Sequence, residues 1–184
     1  MTDRLRKQLA FILELDQEKN ILRQTHLSNH GRRENDAEHA WHMAIMAYLL
    51  QEYSNAPIDV AKVMLMCLLH DVVEIDAGDT YAYDEKGKET QKAREEAAKE
   101  RIYGLLPEDQ KECFQQLFEE FEARETAESK FAHAMDNLPP LLLNDSNNGG
   151  DWKAHRVTAE QVYGRQSQTK DGSEVLFEWT DAVI

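Results

Sequence analysis

Glycine and proline are scarce in this chain of 184 residues, 8 and 4 respectively, and no alternating run is long enough to argue for a strand. That excludes the turn-rich all-β architectures and leaves helices. Cysteine is scarcer still. Cys67 and Cys113 stand far apart, with no spacing that suggests a disulfide scaffold or a zinc module. Cys67 falls in the apolar run from Val63 to Leu69 and is expected to be a buried thiol. No apolar stretch approaches the roughly 20 residues needed to span a bilayer, and the segment from Met1 to Lys7 lacks the apolar core of a secretory signal. Both absences predict no membrane partner and a reducing cytoplasm. Basic residues are also in deficit: 21 Lys and Arg against 35 Asp and Glu leave a formal charge of −14. Such a surface repels a polyphosphate backbone, so nucleic acid is a poor candidate partner. A small phosphorylated molecule is repelled at long range too. Its binding requires a local arginine or a metal ion.

What is present is enough to build a core. The chain is 41% hydrophobic despite 30% charged residues, and its length suits one domain, expected to cover residues 1–184. Helical periodicity recurs along it. Leu5, Leu9 and Ile12 make one stripe; His39, His42, Met43, Met46, Leu50 and Tyr53 make a second. Asn35, followed three residues later by Glu38, reads as an N-cap that starts a helix near residue 36. Pro57 suits the first turn of the next helix, which carries Val60, Val63, Met64 and Cys67 into His70 and Asp71. Ala77-Gly78-Asp79-Thr80 is a turn signal, and a polar loop is expected through Lys86-Gly87-Lys88. A charged helix is predicted from about Glu89 to Leu105, and Pro107 opens another with Phe114, Leu117, Phe118 and Phe121 as its apolar side. A further helix from about Ala127 holds Phe131, Met135 and Leu138, with Pro139-Pro140 expected to kink or end it. Asn144 to Asp151 reads as a loop, Trp152 to Gln166 as one helix, and Glu174 to Val183 as a short last one. The fold class is all-α, a single helical bundle.

The metal-capable side chains fall at informative places. His39 begins its apolar stripe and should point inward. His70 and Asp71 end a strongly apolar helix, and Asp136 lies among Phe131, Ala132, Met135 and Leu138. An ionised aspartate among apolar neighbours is costly unless it is paired or binds a cation. Taken singly, an inward histidine is more often a core residue and a buried aspartate more often an arginine's partner. Taken together, two histidines and two aspartates on three helices offer a mixed nitrogen and oxygen ligand set for a divalent transition metal. Glu74 is three residues after Asp71 and four after His70, so a continuing helix places it on their face. A carboxylate there suits orientation of an attacking water or protonation of a leaving oxygen.

The segment Arg33-Glu34-Asn35-Asp36-Ala37-Glu38-His39-Ala40-Trp41-His42 resembles the first motif of the HD-domain metal phosphohydrolases. The run from His70 to Thr80 resembles the second, Phe131-Ala132-His133-Ala134-Met135-Asp136 the third, and Trp152-Lys153-Ala154-His155 a later family segment. The likeness runs from about Arg23 to Val162, which bounds the expected metal-binding core, and is closest to the 5′-deoxynucleotidase branch. It implies an HD fold, commonly a homodimer, that hydrolyses a nucleoside 5′-monophosphate to nucleoside and phosphate with one divalent ion: cobalt, manganese, zinc, magnesium, nickel or iron. By resemblance His39, His70, Asp71 and Asp136 are the metal ligands and Glu74 the general acid/base. Asp79 contacts the deoxyribose, and Arg23 reaches the phosphate. In the well-known bacterial enzymes a tryptophan follows that arginine; here Gln24 does.

Other candidates are weaker. His42 reads equally as a ligand's neighbour or as core, and His26, His30, His133 and His155 have no ligand-like pairing. Arg32-Arg33 suits phosphate or an ion pair with Glu34 or Glu38, whereas Glu95-Glu96 and Glu119-Glu120 read as solvated helix faces. Trp41 and Trp152 are expected to pack, Trp41 near enough to the ligands to line a pocket. Two other functions compete: HD chemistry on an alarmone or cyclic nucleotide, and a non-catalytic HD-fold binding module. The short chain argues against the first, and an intact ligand set with Glu74 against the second.

Overall fold

The computed structural model describes residues 2–184; Met1 lies outside them. In chain order its elements are α1 (Asp3–Leu15), a 3₁₀ turn (Asp16–Asn20), β1 (Leu22–His26), β2 (Arg33–Asn35), α2 (Asp36–Leu50), α3 (Val60–Leu69), α4 (Glu74–Ala77), α5 (Glu85–Tyr103), α6 (Glu108–Ala123), α7 (Ala127–Ser146), α8 (Gly150–His155), α9 (Ala159–Gln166), α10 (Thr169–Gly172) and α11 (Glu174–Val183). The class is all-α. Helices α2, α3 and α7 pack on one another, burying Met43, Ala47, Val63, Met66, Phe131 and Met135 between them. Around them α5 and α6 add Ile102, Tyr103, Phe118 and Phe121. No helix is long and apolar enough to cross a membrane among the described residues.

Several expectations hold at the residue level. Asn35 caps α2, its side chain accepting the Glu38 N–H while Glu38 reaches back to the Asn35 N–H. The last helix has the expected bounds. Cys67 is buried, and burial pushes its thiol pKa up.

Others need correction. A strand pair does form: β1 and β2 run antiparallel, Leu22 opposite Asn35 and His26 opposite Arg33. Three residues of β2 are too few to show an alternation. The Leu5, Leu9 and Ile12 stripe faces outward, and α1 buries only Phe11, which packs on Tyr103 and Phe114. Pro57 precedes α3 rather than opening it, because Asp59 supplies the cap to Ala61 and Lys62. Lys86-Gly87-Lys88 is helical, since Asp84 accepts the N–H groups of Lys86 and Gly87 and starts α5 early. Pro139 and Pro140 do not stop α7, which runs on to Ser146. Each proline forfeits a backbone bond, but the last turns bury Leu141, Leu143 and Asn144, and that packing holds the helix. The expected loop over Asn144–Asp151 is therefore confined to the turn over 147–149, where Gly149 adopts a φ of +67° that favours glycine. The expected single helix over Trp152–Gln166 is two helices, divided where Arg156 adopts φ +56° and Thr158 caps α9 with Gln161. Trp41 is 62% exposed and is not among the residues that line the cavity at His70, Asp71 and Asp136.

Candidate metal centre

The capping box of α2 fixes its first turn, and one turn later His39 points straight into the bundle, fully buried. Its Nε2 lies 3.0 Å from Asp136 Oδ1, and its Nδ1 faces the buried Glu34 carboxylate at 3.6 Å. His70 closes α3. Its Nδ1 is 2.9 Å from the Cys67 carbonyl oxygen, a bond that needs the proton on Nδ1 and so turns the Nε2 lone pair toward the site. Asp136 comes from the middle of α7. Donor atoms of His39, His70 and Asp136 all lie within 4.8 Å of one another. Two donors on opposite sides of one ion, at bond lengths near 2.0–2.2 Å, stand at most about 4.4 Å apart; Asp136 Oδ1 lies 3.0 Å from His39 Nε2 and 3.9 Å from His70 Nε2, within that limit.

Asp71 adjoins this trio. Its Oδ1 is 3.0 Å from His70 Nε2, while its Oδ2 accepts a 2.9 Å bond from Arg23. It also belongs to a second cluster of the same compactness, with Asp36 and Glu74. The helix does not continue to Glu74 as expected. The chain turns over 70–73 and restarts as α4, and a bond from the Glu74 N–H to the Asp71 carbonyl keeps the two together at 2.8 Å.

Seven buried side-chain atoms lack a hydrogen-bond partner among the described residues: Glu18 Oε1, Arg23 Nε, Glu34 Oε2, Asp36 Oδ2, His39 Nδ1, His70 Nε2 and Glu74 Oε2. Buried polar atoms are nearly always paired, and here the exceptions all surround one spot. The donor chemistry and these unpaired atoms fit a divalent cation. The titration of the site has the same origin. Burial opposes charge on Asp71, yet His70 and Arg23 hold its carboxyl down at about 2. Burial likewise opposes the charge on His70, but Asp71 and Asp136 raise it to about 9. Burial, then the Asp71 carboxylate, lifts Asp36 to about 7. Burial, with Asp71 and Asp36, pushes Glu74 well above the usual carboxylate range.

His70, Asp71 and Asp136 open onto a cavity that Glu74, Asp79 and Arg23 also line; Tyr81, Tyr83 and Trp152 make an aromatic wall. Asp79 follows the left-handed Gly78, and burial raises its carboxyl against the pull of Arg23. Arg23, on β1, is packed among Asp71, Asp36 and Glu34. His42 is half-buried, and burial lowers its pKa. His133 is 2.8 Å from the Phe121 carbonyl, and Arg32 pairs with Glu38. Sequence reasoning missed Asp36, Glu34, Glu18 and Arg165. Asp36 and Glu34 sit inside the first motif, and their burial was the missing signal; Glu18 and Arg165 carry none that a single sequence displays.

The HD-domain family model matches residues 15–176. A crystal structure described as a predicted metal-dependent phosphohydrolase from Magnetospirillum magnetotacticum MS-1 is 47% identical, with a TM-score of 0.94 over 98% of this chain and 90% of that one. The chain belongs to the HD-domain family. Two curated relatives are similar over part of their length. The human 5′-deoxynucleotidase HDDC2 is 32% identical over 114 residues, 62% of this chain and 54% of that protein. The Xenopus laevis protein of the same name is 32% identical over 109 residues, 59% of this chain and 53% of its own. The chain thus matches about half the length of these relatives. A conserved hypothetical protein from Pyrococcus furiosus, 19% identical with a TM-score of 0.66 over 95% of this chain and 98% of that one, shares the fold.

Proposed function

We propose that this protein is a 5′-deoxynucleotidase that hydrolyses deoxynucleoside 5′-monophosphates to deoxynucleoside and phosphate. The observation that carries the reading is the convergence of unpaired histidine and carboxylate atoms on a cavity with an aromatic wall. In this reading His39, His70, Asp71 and Asp136 hold one divalent ion. When bound, such an ion supplies Lewis acidity, drawing charge from a phosphoryl oxygen and making water nucleophilic near neutral pH. Glu74 manages the proton. As the water oxygen bonds to phosphorus and the P–O5′ bond breaks, the ionised Glu74 carboxylate, the form a bound cation would favour, takes the water's proton and passes that proton to the leaving oxygen. Arg23 faces the phosphate and Asp79 accepts a hydrogen bond from the sugar, while Tyr81, Tyr83 and Trp152 lie against the base. Two free cysteines suit a reducing compartment such as the cytoplasm.

The test is to strip the protein, reload it separately with cobalt, manganese, zinc, magnesium, nickel and ferrous iron, and measure phosphate release. Deoxyribonucleotides should be hydrolysed faster than ribonucleotides, and Glu74→Ala should keep its metal while losing on the order of 10²–10⁴-fold in rate. Equal turnover of both sugars would sink the deoxynucleotidase reading and leave phosphohydrolysis standing. A homodimer accords with the exposed Trp41, Ile45, Tyr48 and Leu49 along one side of α2; a monomeric mass by light scattering would exclude it.

A further inference from the structure

Of the three arginines that line the cavity, Arg124 donates to Gln168, while Arg23 and Arg165 stand beside the candidate ligands in different surroundings. Arg23 is hemmed by three carboxylates, with Asp71 at 2.9 Å, Asp36 at 3.4 Å and Glu34 at 3.7 Å. Its side chain is 13% exposed. Three negative neighbours offset its charge, so a dianion that Arg23 faces needs a second cation. Arg165 has one carboxylate partner, its Nη2 donating to Asp136 Oδ2 at 3.0 Å, and its side chain is 29% exposed where it lines the cavity. A guanidinium carries five N–H donors in a fixed fork, so most of Arg165's capacity is open to the cavity. Its place is secured from the next residue along. Gln166 donates to the backbone carbonyl of Asn137 at 2.7 Å, so neighbouring residues of α9 are tied to neighbouring residues of α7. Asp136 Oδ1 meanwhile faces His39, so a phosphoryl oxygen near the ligand trio lies within one carboxylate's width of this guanidinium.

We propose that Arg165 is a phosphate-binding residue of this cavity, the group that offsets the surrounding acids when a phosphoryl ligand enters. The inference rests on the cavity's reading as a phosphoryl site, not on which nucleotide is the substrate. The probe is inorganic phosphate, titrated calorimetrically into the manganese-loaded protein, with manganese affinity of the stripped protein measured in parallel. Arg165→Gln should weaken phosphate binding roughly 10- to 100-fold, the scale of a charge-assisted hydrogen bond pair, with manganese affinity held within about 3-fold. Unchanged phosphate affinity would overturn the proposal. So would a parallel loss of manganese affinity, which would make Arg165 a positioning residue for Asp136 alone, or a loaded wild type that binds no phosphate. Should Arg165→Gln fail to fold, Arg165→Lys carries the test. It keeps charge but loses the fork and should weaken phosphate binding by about 3- to 10-fold; wild-type affinity there would overturn the proposal. If no nucleoside monophosphate is hydrolysed while phosphate binding still depends on Arg165, the deoxynucleotidase reading fails and this inference stands.

Discussion

Glu18 lies on the 3₁₀ turn after α1, buried, with one carboxylate oxygen unpaired. Burial, then the charge of Asp71, raises its pKa from 4.5 to about 8. The sign follows from where the proton sits. Unfolded, Glu18 releases its proton near 4.5; folded, it keeps it to about 8. Its contribution to stability is therefore full below the lower value and is lost as pH rises through the upper one. Glu18→Gln removes that dependence. In the metal-free protein the substitution should raise unfolding stability by on the order of 2 kcal/mol at pH 9 and by much less at pH 5. Denaturant titration at the two pH values checks it, and an equal gain at both would show that burial does not hold the proton there. The same residue explains part of what a sequence conceals. His39, His70, Asp71 and Asp136 stand out because each interrupts an apolar helical pattern. Glu18, Asp36 and Arg165 interrupt nothing, and in a chain with 35 acidic residues a buried carboxylate looks like a solvated one until the fold covers it.

At the scale of elements, legibility follows how local the cause is. The start of α2 is written in Asn35 and Glu38, two residues within one turn that satisfy each other, and the start of α11 follows from Ser173, whose side chain accepts the Leu176 N–H. The persistence of α7 through Pro139-Pro140 is decided by burial from elsewhere in the molecule, as is the pairing of β1 with β2. The four-residue α10 shows how tight such remote packing is. It lies against α7, and a Cβ at Gly172 would stand 2.3 Å from the Lys130 carbonyl oxygen and 2.9 Å from the Phe131 Cα. Both are backbone atoms of a long helix and cannot rotate aside. On its other side Gly172 accepts a bond from the Asn55 N–H at 3.0 Å, which ties α10 to the segment between α2 and α3. Gly172→Ala must move α10 off α7. It should cost about 1–3 kcal/mol, the usual range for overpacking, or roughly 2–4 °C of melting temperature per kcal/mol in a chain of this length. Gly164, with open space around its Cβ position, is the control: Gly164→Ala on α9 should leave the melting temperature unchanged or raise it slightly. Equal losses at the two glycines would show that helix backbone effects, not the α7 contact, dominate.

At the scale of the whole molecule, part of the acidic excess is buried at the candidate centre, where charge costs most. Glu34, Asp36, Asp71, Glu74, Asp79 and Asp136 crowd the candidate centre, against Arg23 and Arg165 as its paired cations. In a chain of charge −14 this crowding is a destabilising field, and together with burial it raises the Asp36 and Glu74 carboxyls. A divalent ion answers that field, because it satisfies lone pairs and charge together. Binding to the folded chain alone stabilises it by RT ln(1 + [L]/Kd), about 2.7 kcal/mol at a hundredfold excess over Kd. For a chain of this length that is a rise of roughly 5–11 °C in melting temperature. Thermal denaturation of the stripped protein should therefore show a saturable rise on adding manganese or cobalt, reversed by a chelator. Asp136→Ala should abolish most of it, since this carboxylate meets His39 directly and is the one acidic donor of the His39, His70 and Asp136 trio. Simple screening by monovalent salt acts on the same field without occupying the site. Matching the ionic strength with sodium chloride should give a smaller, non-saturating rise. If the two salts act alike, or if Asp136→Ala responds to manganese as the wild type does, the ion is being bound by the acidic surface and not by the converging histidines and carboxylates.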